Sequence, residues 1–386
     1  MIKKSAQENG RKNPARKLLI VNFPFESAFG GLEEIHLLLA KKLRERKVCT
    51  ALVTSCPHLH KCFANEGFQV WKFWWRKTDP VAKSSIFLFP FLAPFLLLAG
   101  FAILAFFRAK GWRKVLLLRL QEKMLWTLPA KVLGFEIFFG EHCAFGRWIF
   151  ANPLLPIFKA ASRLATFVCP SIFMKGQIHQ ICPWAKVKVL PNAIEPIAEK
   201  KVPRQKEKLK VGFAARLGRE KGVLDFLKIA QSVLQEFENV TFEIAGRGPL
   251  RAKAASEIRR HNLQGKVLLR GFLQGEQLQD FFTSLDVFGI FSQFETFGIS
   301  ILHAQNAGKP TVGFANTALG EVVASGHTGF LVKNGDTKAA AKKIVQLLRD
   351  KSLREQMGKR ARETFLDQFT AERFLENAWG VFNFAG

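Results

Sequence analysis

Tyrosine is entirely absent from this chain of 386 residues, which carries 39 phenylalanines. A replacement of Tyr by Phe, biased or deliberate, would give this composition, and it leaves no phenol to bind a substrate. Acidic residues are also scarce, because 58 Lys and Arg stand against 31 Asp and Glu and give a net charge of +27. Such an excess fits a nucleic acid, an anionic lipid surface or a phosphorylated substrate as partner.

Cysteines are few and scattered. The six of them show no spacing typical of a small disulfide-bonded domain, so we expect free thiols in a reducing cytosol. One short segment carries zinc-type ligands at alternate positions, namely Cys56, His58, His60 and Cys62. Alternation by two indicates one face of an extended strand, which is a poor geometry for a tetrahedral site. We therefore expect a loop after a strand here, and no metal site.

The chain also lacks a secretory signal at its start, because residues 1–17 form a basic, polar tail without an apolar core. From residue 18 onward, strand-like and helix-like runs alternate, which favours an α/β fold with parallel sheets. A segment rich in proline and charge, 192–208, reads as a linker. The sequence thus predicts two doubly wound, Rossmann-like domains, 18–191 and 209–370, that face a cleft. The remaining helix, 371–386, is a candidate to cross back to the N-terminal domain.

Charges are missing from residues 86–107, a stretch long enough to cross a bilayer as a helix. Its flanking strands should share one sheet, so a crossing would split that domain. Two prolines and a glycine inside the stretch weaken a straight helix, which also argues against a span. Lys83 precedes it and a basic group follows, as expected beside anionic headgroups: Arg108, Lys110, Arg113 and Lys114. We favour a helix or re-entrant hairpin that enters one leaflet of a membrane. A helix buried in the domain is the second alternative, and a helix that crosses the bilayer is the third.

Two cations and a carboxylate in the second half of the chain are candidates for a catalytic site. Arg216 and Lys221 follow a predicted strand. The forked guanidinium of Arg216 and the compact positive charge of Lys221 both suit binding to a diphosphate. Glu295 precedes a Phe-Gly turn and can accept hydrogen bonds from sugar hydroxyls. Cations placed in advance stabilise the charge that grows on a departing diphosphate. Together these residues predict an enzyme that uses a nucleotide sugar.

Glycines at two predicted helix starts extend this site. Gly30 and Gly31 follow the first strand and would let backbone N–H groups approach a phosphate or sugar. Phe297-Gly298-Ile299 opens a second helix whose first N–H groups are free to bind in the same way.

The ordered set of motifs resembles the retaining glycosyltransferases of family 4, which have the GT-B fold. The resemblance covers most of the chain, is strongest over 211–332, and includes the pieces Gly30-Gly31, Arg216…Lys221-Gly222, Gly246-Arg-Gly248-Pro-Leu250, Glu295-Thr-Phe297-Gly298, Gly308-Lys-Pro310 and Gly320-Glu321. It implies that Gly246 and Ile299 belong to the donor site and that Glu295 binds the donor sugar. His142 resembles the family histidine near the reaction centre, which orients the sugar or stabilises charge.

The same resemblance implies a mechanism and partners. No protein nucleophile is expected, and the leaving phosphate oxygen helps to deprotonate the acceptor on the same face of the sugar. The expected partners are a nucleotide-sugar donor and a lipid-linked or glycan acceptor. The apolar stretch and its basic flanks add an anionic membrane surface, at the cytoplasmic face. Neither a metal nor another cofactor is expected. We expect no nucleic-acid partner, because nothing resembles a helix-turn-helix, an RNA-recognition module or a zinc finger.

One position departs from the family pattern. His303 stands where the family has a second glutamate, eight residues after Glu295, that binds the ribose hydroxyls. Histidine offers one hydrogen bond where a carboxylate offers two acceptor oxygens. We expect donor binding to be weaker by about 1.5–3 kcal/mol, the worth of one charge-assisted hydrogen bond. The alternative is a catalytically impaired GT-B protein that binds a nucleotide or a partner.

Overall fold

The computed structural model describes residues 16–23, 31–73, 89–143, 145–146, 149–150, 152–198, 208–315 and 317–384. Within these ranges the chain forms two parallel sheets, each covered by helices on both faces. The predicted α/β fold class, with two doubly wound halves, is therefore confirmed. Lys83 lies outside the described residues.

The N-terminal sheet is built from apolar strands that are buried on both faces, as parallel strands usually are. Its members are β1 (Lys17–Asn22), β2 (Cys49–Thr54), β3 (Gln69–Lys72), β4 (Lys114–Leu117), β5 (Glu136–Gly140), β6 (Thr166–Cys169) and β7 (Lys186–Val189). All neighbours are parallel, in the order β3-β2-β1-β4-β5-β6-β7. The order reverses between β1 and β4, where ligands of such sheets commonly bind.

Helices cover both faces of this sheet. They are α1 (Gly31–Glu45), α2 (Pro57–Asn65), α3 (Phe89–Ala109), α4 (Leu120–Leu125), α5 (Thr127–Val132), α6 (Leu155–Ser162) and α7 (Ile172–Ile181). Buried residues of α1 and α2 share a core with one face of the strands. Buried residues of α3 to α7 share another core with the opposite face.

Helix α3 decides between two of our alternatives for the apolar stretch. It is continuous despite the prolines and the glycine, so a helix is confirmed over 89–109 and a re-entrant hairpin there is wrong. The helix crosses from β3 to β4 and buries Leu96, Leu104 and Phe107. Gly100 receives the Trp126 indole, whose Nε1 donates to the Leu96 carbonyl at 3.1 Å. Among the described residues, α3 alone is long and apolar enough to cross a membrane.

Helix α2 corrects a second prediction. The segment that we expected to be a loop after a strand forms a helix instead, because Pro57 fits the first helical position and Cys56 caps it. The Cys56 Sγ accepts a hydrogen bond from the Leu59 N–H at 3.5 Å. Residues two apart in a helix point in different directions, so the four zinc-type ligands do not lie on one face. No group of three or more His, Cys, Asp or Glu in the described part of the chain is arranged to hold a metal ion.

The C-terminal sheet repeats the architecture. Its strands are β8 (Leu209–Ala214), β9 (Val240–Ala245), β10 (Val267–Gly271), β11 (Val287–Ile290), β12 (Thr311–Ala315) and β13 (Gly329–Lys333), in the order β10-β9-β8-β11-β12-β13. Its helices are α8 (Val223–Glu236), α9 (Arg251–Arg260), α10 (Glu276–Ser284), α11 (Ile299–Asn306), α12 (Leu319–Val322), α13 (Thr337–Arg349) and α14 (Lys351–Gln368). The order reverses between β8 and β11, so the second expected ligand edge lies there.

The last helix, α15 (Ala371–Val381), packs against α1 of the N-terminal domain. The ring of Phe382 lies 4.9 Å from that of Phe138 in the N-terminal sheet. Lys42 on α1 also pairs with Glu372 at 3.0 Å. The chain therefore returns to its first domain after completing the second.

Candidate active site

Lys221 and Glu295 meet at the reversal point of the C-terminal sheet. Arg216 follows β8, and Glu295 follows the adjacent strand β11. Lys221 lies in a 3-10 turn, Arg219–Lys221, rather than in an open loop. Its Nζ lies 2.8 Å from Glu295 Oε2. The Arg216 side chain is exposed and forms no hydrogen bond or ion pair with the described residues, so it is available to a ligand.

A short turn holds Glu295 in place. The Glu295 N–H donates to Thr317 Oγ1 at 3.0 Å, and the same hydroxyl donates to the Glu295 carbonyl at 2.5 Å. The Ala318 N–H also points at that carbonyl, at 3.4 Å. Because the backbone of Glu295 is held from both sides, its carboxylate is aimed before any ligand binds.

Gly246 shapes the loop that carries Arg216. Its φ is +141°, and a Cβ at this position would lie 1.9 Å from the Ala215 carbonyl oxygen. The following Arg247 carbonyl accepts from the Leu217 N–H at 2.9 Å, so the two loops pack backbone to backbone. Gly246 therefore positions Arg216, and direct contact between Gly246 and the donor stays a prediction.

Two helix N-termini approach each other across the cleft. Gly298 is left-handed, with φ +98°, and caps α11, which begins at Ile299. Gly31 begins α1, and a Cβ there would lie 2.7 Å from Ile299 Cδ1. The Phe297 side chain is buried against Phe369, so only its backbone can face a ligand. Gly30 lies outside the described residues.

His142 reaches the same place from the N-terminal domain. It follows β5, its ring packs edge-on against that of His36 with centroids 5.1 Å apart, and its carbonyl accepts from Thr296 Oγ1 at 2.9 Å. Burial, with the charges of Lys123 and Arg119, lowers the pKa of His142 to about 3. A neutral imidazole offers no positive charge near pH 7, but it can still donate or accept a hydrogen bond.

A buried ion pair behind His142 was not predicted from the sequence. Lys123 on α4 donates to the Gly140 carbonyl at 2.8 Å and to the Glu141 carboxylate. The Lys–Glu pair spans 18 residues and two elements, so no local pattern marks it. It holds the end of β5, from which His142 projects.

His303 lies on α11 and is largely enclosed. Its ring stacks on that of Phe282 with centroids 5.2 Å apart and planes 15° from parallel. Burial lowers the pKa of His303 to about 4. The ring is thus neutral near pH 7, and it makes no hydrogen bond within the described residues.

Comparison with known families fits this geometry. Residues 195–364 match the family described as Glycosyl transferases group 1. This part of the chain therefore resembles that family. The matched segment contains the Lys221–Glu295 pair, Arg216 and His303, so every C-terminal residue predicted for the site falls inside it.

Relatives and solved structures extend the likeness. The chain is 30% identical over 155 residues to the N-acetyl-alpha-D-glucosaminyl L-malate synthase of Bacillus anthracis, covering 39% of this chain and 40% of that protein. It is 29% identical over 182 residues to the poly(ribitol-phosphate) alpha-N-acetylglucosaminyltransferase of Staphylococcus aureus, covering 46% and 36%. The matches therefore span about two fifths of these curated relatives.

The fold agrees over nearly the whole chain. A crystal structure of Anabaena HepE in complex with UDP superposes with a TM-score of 0.78, covering 95% of this chain and 99% of that one at 18% identity. The predicted GT-B fold and the resemblance to GT-B glycosyltransferases are therefore confirmed.

Proposed function

We propose that the chain is a retaining glycosyltransferase of family 4 that moves a sugar from a nucleoside diphosphate to an acceptor at a membrane surface. The Lys221–Glu295 pair carries the proposal, because it lies where two adjacent strands end and opposite His142. A cation for phosphate and a carboxylate for sugar hydroxyls, 2.8 Å apart, match the two halves of a nucleotide sugar.

The residues divide the reaction between them. Arg216 and Lys221 take the charge that develops on the diphosphate as the bond from the sugar C1 to the phosphate oxygen breaks. Glu295 holds the sugar hydroxyls and neutral His142 orients the ring. The acceptor oxygen bonds to C1 on the same face, and its proton passes to the departing phosphate oxygen. Metal is not required in this scheme, because the two cations neutralise the leaving group.

The relatives suggest which donors to test first. Two of them are named for transfer of N-acetylglucosamine, and the structure of HepE holds UDP. UDP-N-acetylglucosamine and UDP-glucose are therefore the first donors to try.

The apolar surface of the N-terminal domain supports membrane attachment. Of the sixteen large apolar side chains exposed in the described residues, fourteen belong to this domain. Phe91, Phe95 and Leu98 form an outward stripe on α3 and are 74%, 67% and 68% exposed. Leu128 and Val132 extend the surface onto α5, which packs beside α3. Exposed apolar side chains gathered on neighbouring helices are typical of a membrane or protein interface.

The charge distribution favours anionic lipid as the occupant. Residues 1–191 carry 29 Lys and Arg against 10 Asp and Glu, whereas residues 192–386 carry 29 against 21. Lys110 and Arg113 are exposed just beyond the end of α3, where headgroups would meet a helix lying in one leaflet. The surface faces away from the core that α3 shares with the sheet. We infer that the domain rests on the cytoplasmic face of a membrane and takes a lipid-linked or envelope-glycan acceptor.

Turnover tests the catalytic proposal. The parent chain and His303→Glu are incubated with UDP-, GDP- and ADP-sugars, and release of nucleoside diphosphate and transfer to membrane lipids are measured. We expect turnover from the parent and more from the variant, with the anomeric configuration retained when the product is read by NMR. Donor binding without turnover by either protein would instead support the catalytically impaired alternative.

Vesicle binding tests the membrane proposal separately. We expect the parent chain to co-sediment with vesicles of anionic phospholipid and less with zwitterionic ones. Phe95→Glu with Leu98→Glu should abolish sedimentation, because each carboxylate must stay in water. Leu366→Glu, at a 45% exposed apolar position of the C-terminal domain, is the matched control and should bind like the parent. Equal loss in the control would show that the α3 stripe is not the lipid contact.

A further inference from the structure

Thr296 is bonded twice to the opposite domain. Its hydroxyl donates to the His142 carbonyl at 2.9 Å, and its own carbonyl accepts from Ser171 Oγ at 2.8 Å. Thr296 directly follows Glu295 in the chain. The backbone that presents the sugar-binding carboxylate is therefore tied to the backbone that presents His142.

Glu321 makes the second link between the domains. Its two carboxylate oxygens accept from the N–H groups of Ile172 and Phe173, at 2.7 and 2.8 Å. These groups begin α7 of the N-terminal domain, and the next one, of Met174, is capped by Ser171 Oγ at 3.2 Å. The first turn of α7 is thus completed by a carboxylate from the other domain, which its positive dipole end favours.

The two links share one support. Glu321 lies on α12, which begins two residues after Thr317, and Thr317 holds the backbone of Glu295 on both sides. The ring of Phe173 also packs at an angle on that of Phe294, with centroids 5.4 Å apart. A movement of α12 away from α7 would therefore pull on the turn that aims Glu295.

We propose that Thr296 and Glu321 are positioning residues that hold Glu295 opposite His142 by joining the two domains across the cleft. Domains within one chain move relative to each other unless their interface is large and apolar. Here the contacts beside the site are hydrogen bonds that end on backbone groups, which fix direction as well as distance. Neither residue needs to touch the substrate.

Hydrogen exchange tests the link without any assumption about catalysis. In the full chain, we expect Glu321→Ala to speed amide exchange in residues 171–175 by about tenfold or more, since two charge-assisted hydrogen bonds are lost. Glu321→Gln keeps one acceptor oxygen and should fall between this variant and the parent. Unchanged exchange in Glu321→Ala, in a protein that melts like the parent, would overturn the link.

Asp350→Ala is the matched control for exchange. Asp350 caps α14 within the C-terminal domain by accepting from the Leu353 N–H at 2.8 Å. Its removal costs a carboxylate cap of the same kind, but it bridges no domains. We expect faster amide exchange at the start of α14 and unchanged exchange at α7. If Asp350→Ala speeds exchange at α7 as much as Glu321→Ala does, the effect reflects general destabilisation and not the link between the domains.

Steady-state kinetics tests the positioning role, which rests on the proposed glycosyl transfer. Thr296→Val removes the hydroxyl and keeps the shape, so we expect kcat to fall about tenfold while the donor KM changes less than about twofold. Thr296→Ser restores the hydroxyl and should restore kcat. A loss confined to KM, or a Ser variant as slow as the Val variant, would overturn the role. If no variant or parent turns over, the exchange experiment still decides the link.

Discussion

The ammonium nitrogen of Lys221 lies 2.8 Å from a carboxylate oxygen of Glu295, across 74 residues of sequence. The side chains are 26% and 14% exposed, so the pair is partly shielded from water. Each group holds the other where a ligand would need it, which removes part of the entropic cost of assembling the site. A diphosphate would compete for the ammonium and release Glu295 oxygen for the sugar.

Lys221→Met should weaken every nucleoside diphosphate by the same factor. Lys221 is assigned to the phosphates, which UDP, GDP and ADP share, and not to the base. Loss of one charge-assisted contact corresponds to about 1.5–3 kcal/mol, or about 10- to 100-fold in Kd. Titration calorimetry with the three nucleotides measures it.

Lys228→Met is the control for this loss of charge. Lys228 is exposed and pairs only weakly, at 3.4 Å, with Asp225 on its own helix. We expect Lys228→Met to bind all three nucleotides as the parent does. An unchanged Kd in Lys221→Met, or a loss that depends on the base, would show that the diphosphate assignment is wrong.

Local patterns predicted the elements well where a cap or an apolar run marks them. The last helix is an example, because the sequence predicts a helix over 371–386 and Thr370 caps α15 at its start. The segment around Cys56 was predicted wrongly. Its zinc-type ligands were tested as a metal site, and the helix start formed by Cys56 and Pro57 was not recognised. In α3 the apolar run is continuous, so no polar face shows which side meets the core.

The site was predictable one residue at a time but not as an assembly. Phosphate and sugar chemistry selects Arg216, Lys221 and Glu295, and the structure brings Lys221 and Glu295 into contact. The bond from Thr296 to the His142 carbonyl joins positions 154 residues apart, and nothing local marks either end. The packing of Gly246 on Ala215 likewise depends on how two loops meet.

His303→Glu should tighten donor binding through the ribose. The parent imidazole is neutral near pH 7, because burial lowers the pKa of His303 to about 4. A carboxylate would add an acceptor for the diol, and we expect the Kd of UDP to fall about tenfold once the cost of burying it beside Phe282 is deducted. Calorimetry with UDP measures the change.

The control for His303→Glu is a change of ligand as well as of residue. With 2′-deoxy-UDP, one hydroxyl is missing and the gain should shrink to less than about threefold. His303→Gln keeps a neutral side chain and should bind UDP like the parent. A gain that is equal for both nucleotides would place the residue away from the ribose.

Glu122→Gln should stabilise the fold, and more so at high pH. Glu122 is fully buried. One carboxylate oxygen accepts hydrogen bonds from the backbone N–H groups of Arg119 and Phe23, at 2.8 and 3.4 Å. The other oxygen has no hydrogen-bond partner among the described residues. Burial raises the pKa of Glu122 to about 7 from 4.5, against the opposing effect of these N–H groups and nearby cations. The folded chain therefore keeps a proton that the unfolded chain releases.

The direction of the pH effect follows from this difference. Below pH 4.5 both states are protonated and the carboxyl costs nothing by ionisation; between 4.5 and 7 the cost to the folded state grows, and above 7 it stays constant. Glutamine cannot ionise, so its gain in the free energy of unfolding should be about 2 kcal/mol larger at pH 8 than at pH 5. Urea unfolding at the two pH values measures it. Glu238→Gln makes the same substitution at an exposed position and should show no such difference. An equal gain at both pH values in Glu122→Gln would mean that the buried carboxyl ionises at its ordinary pH.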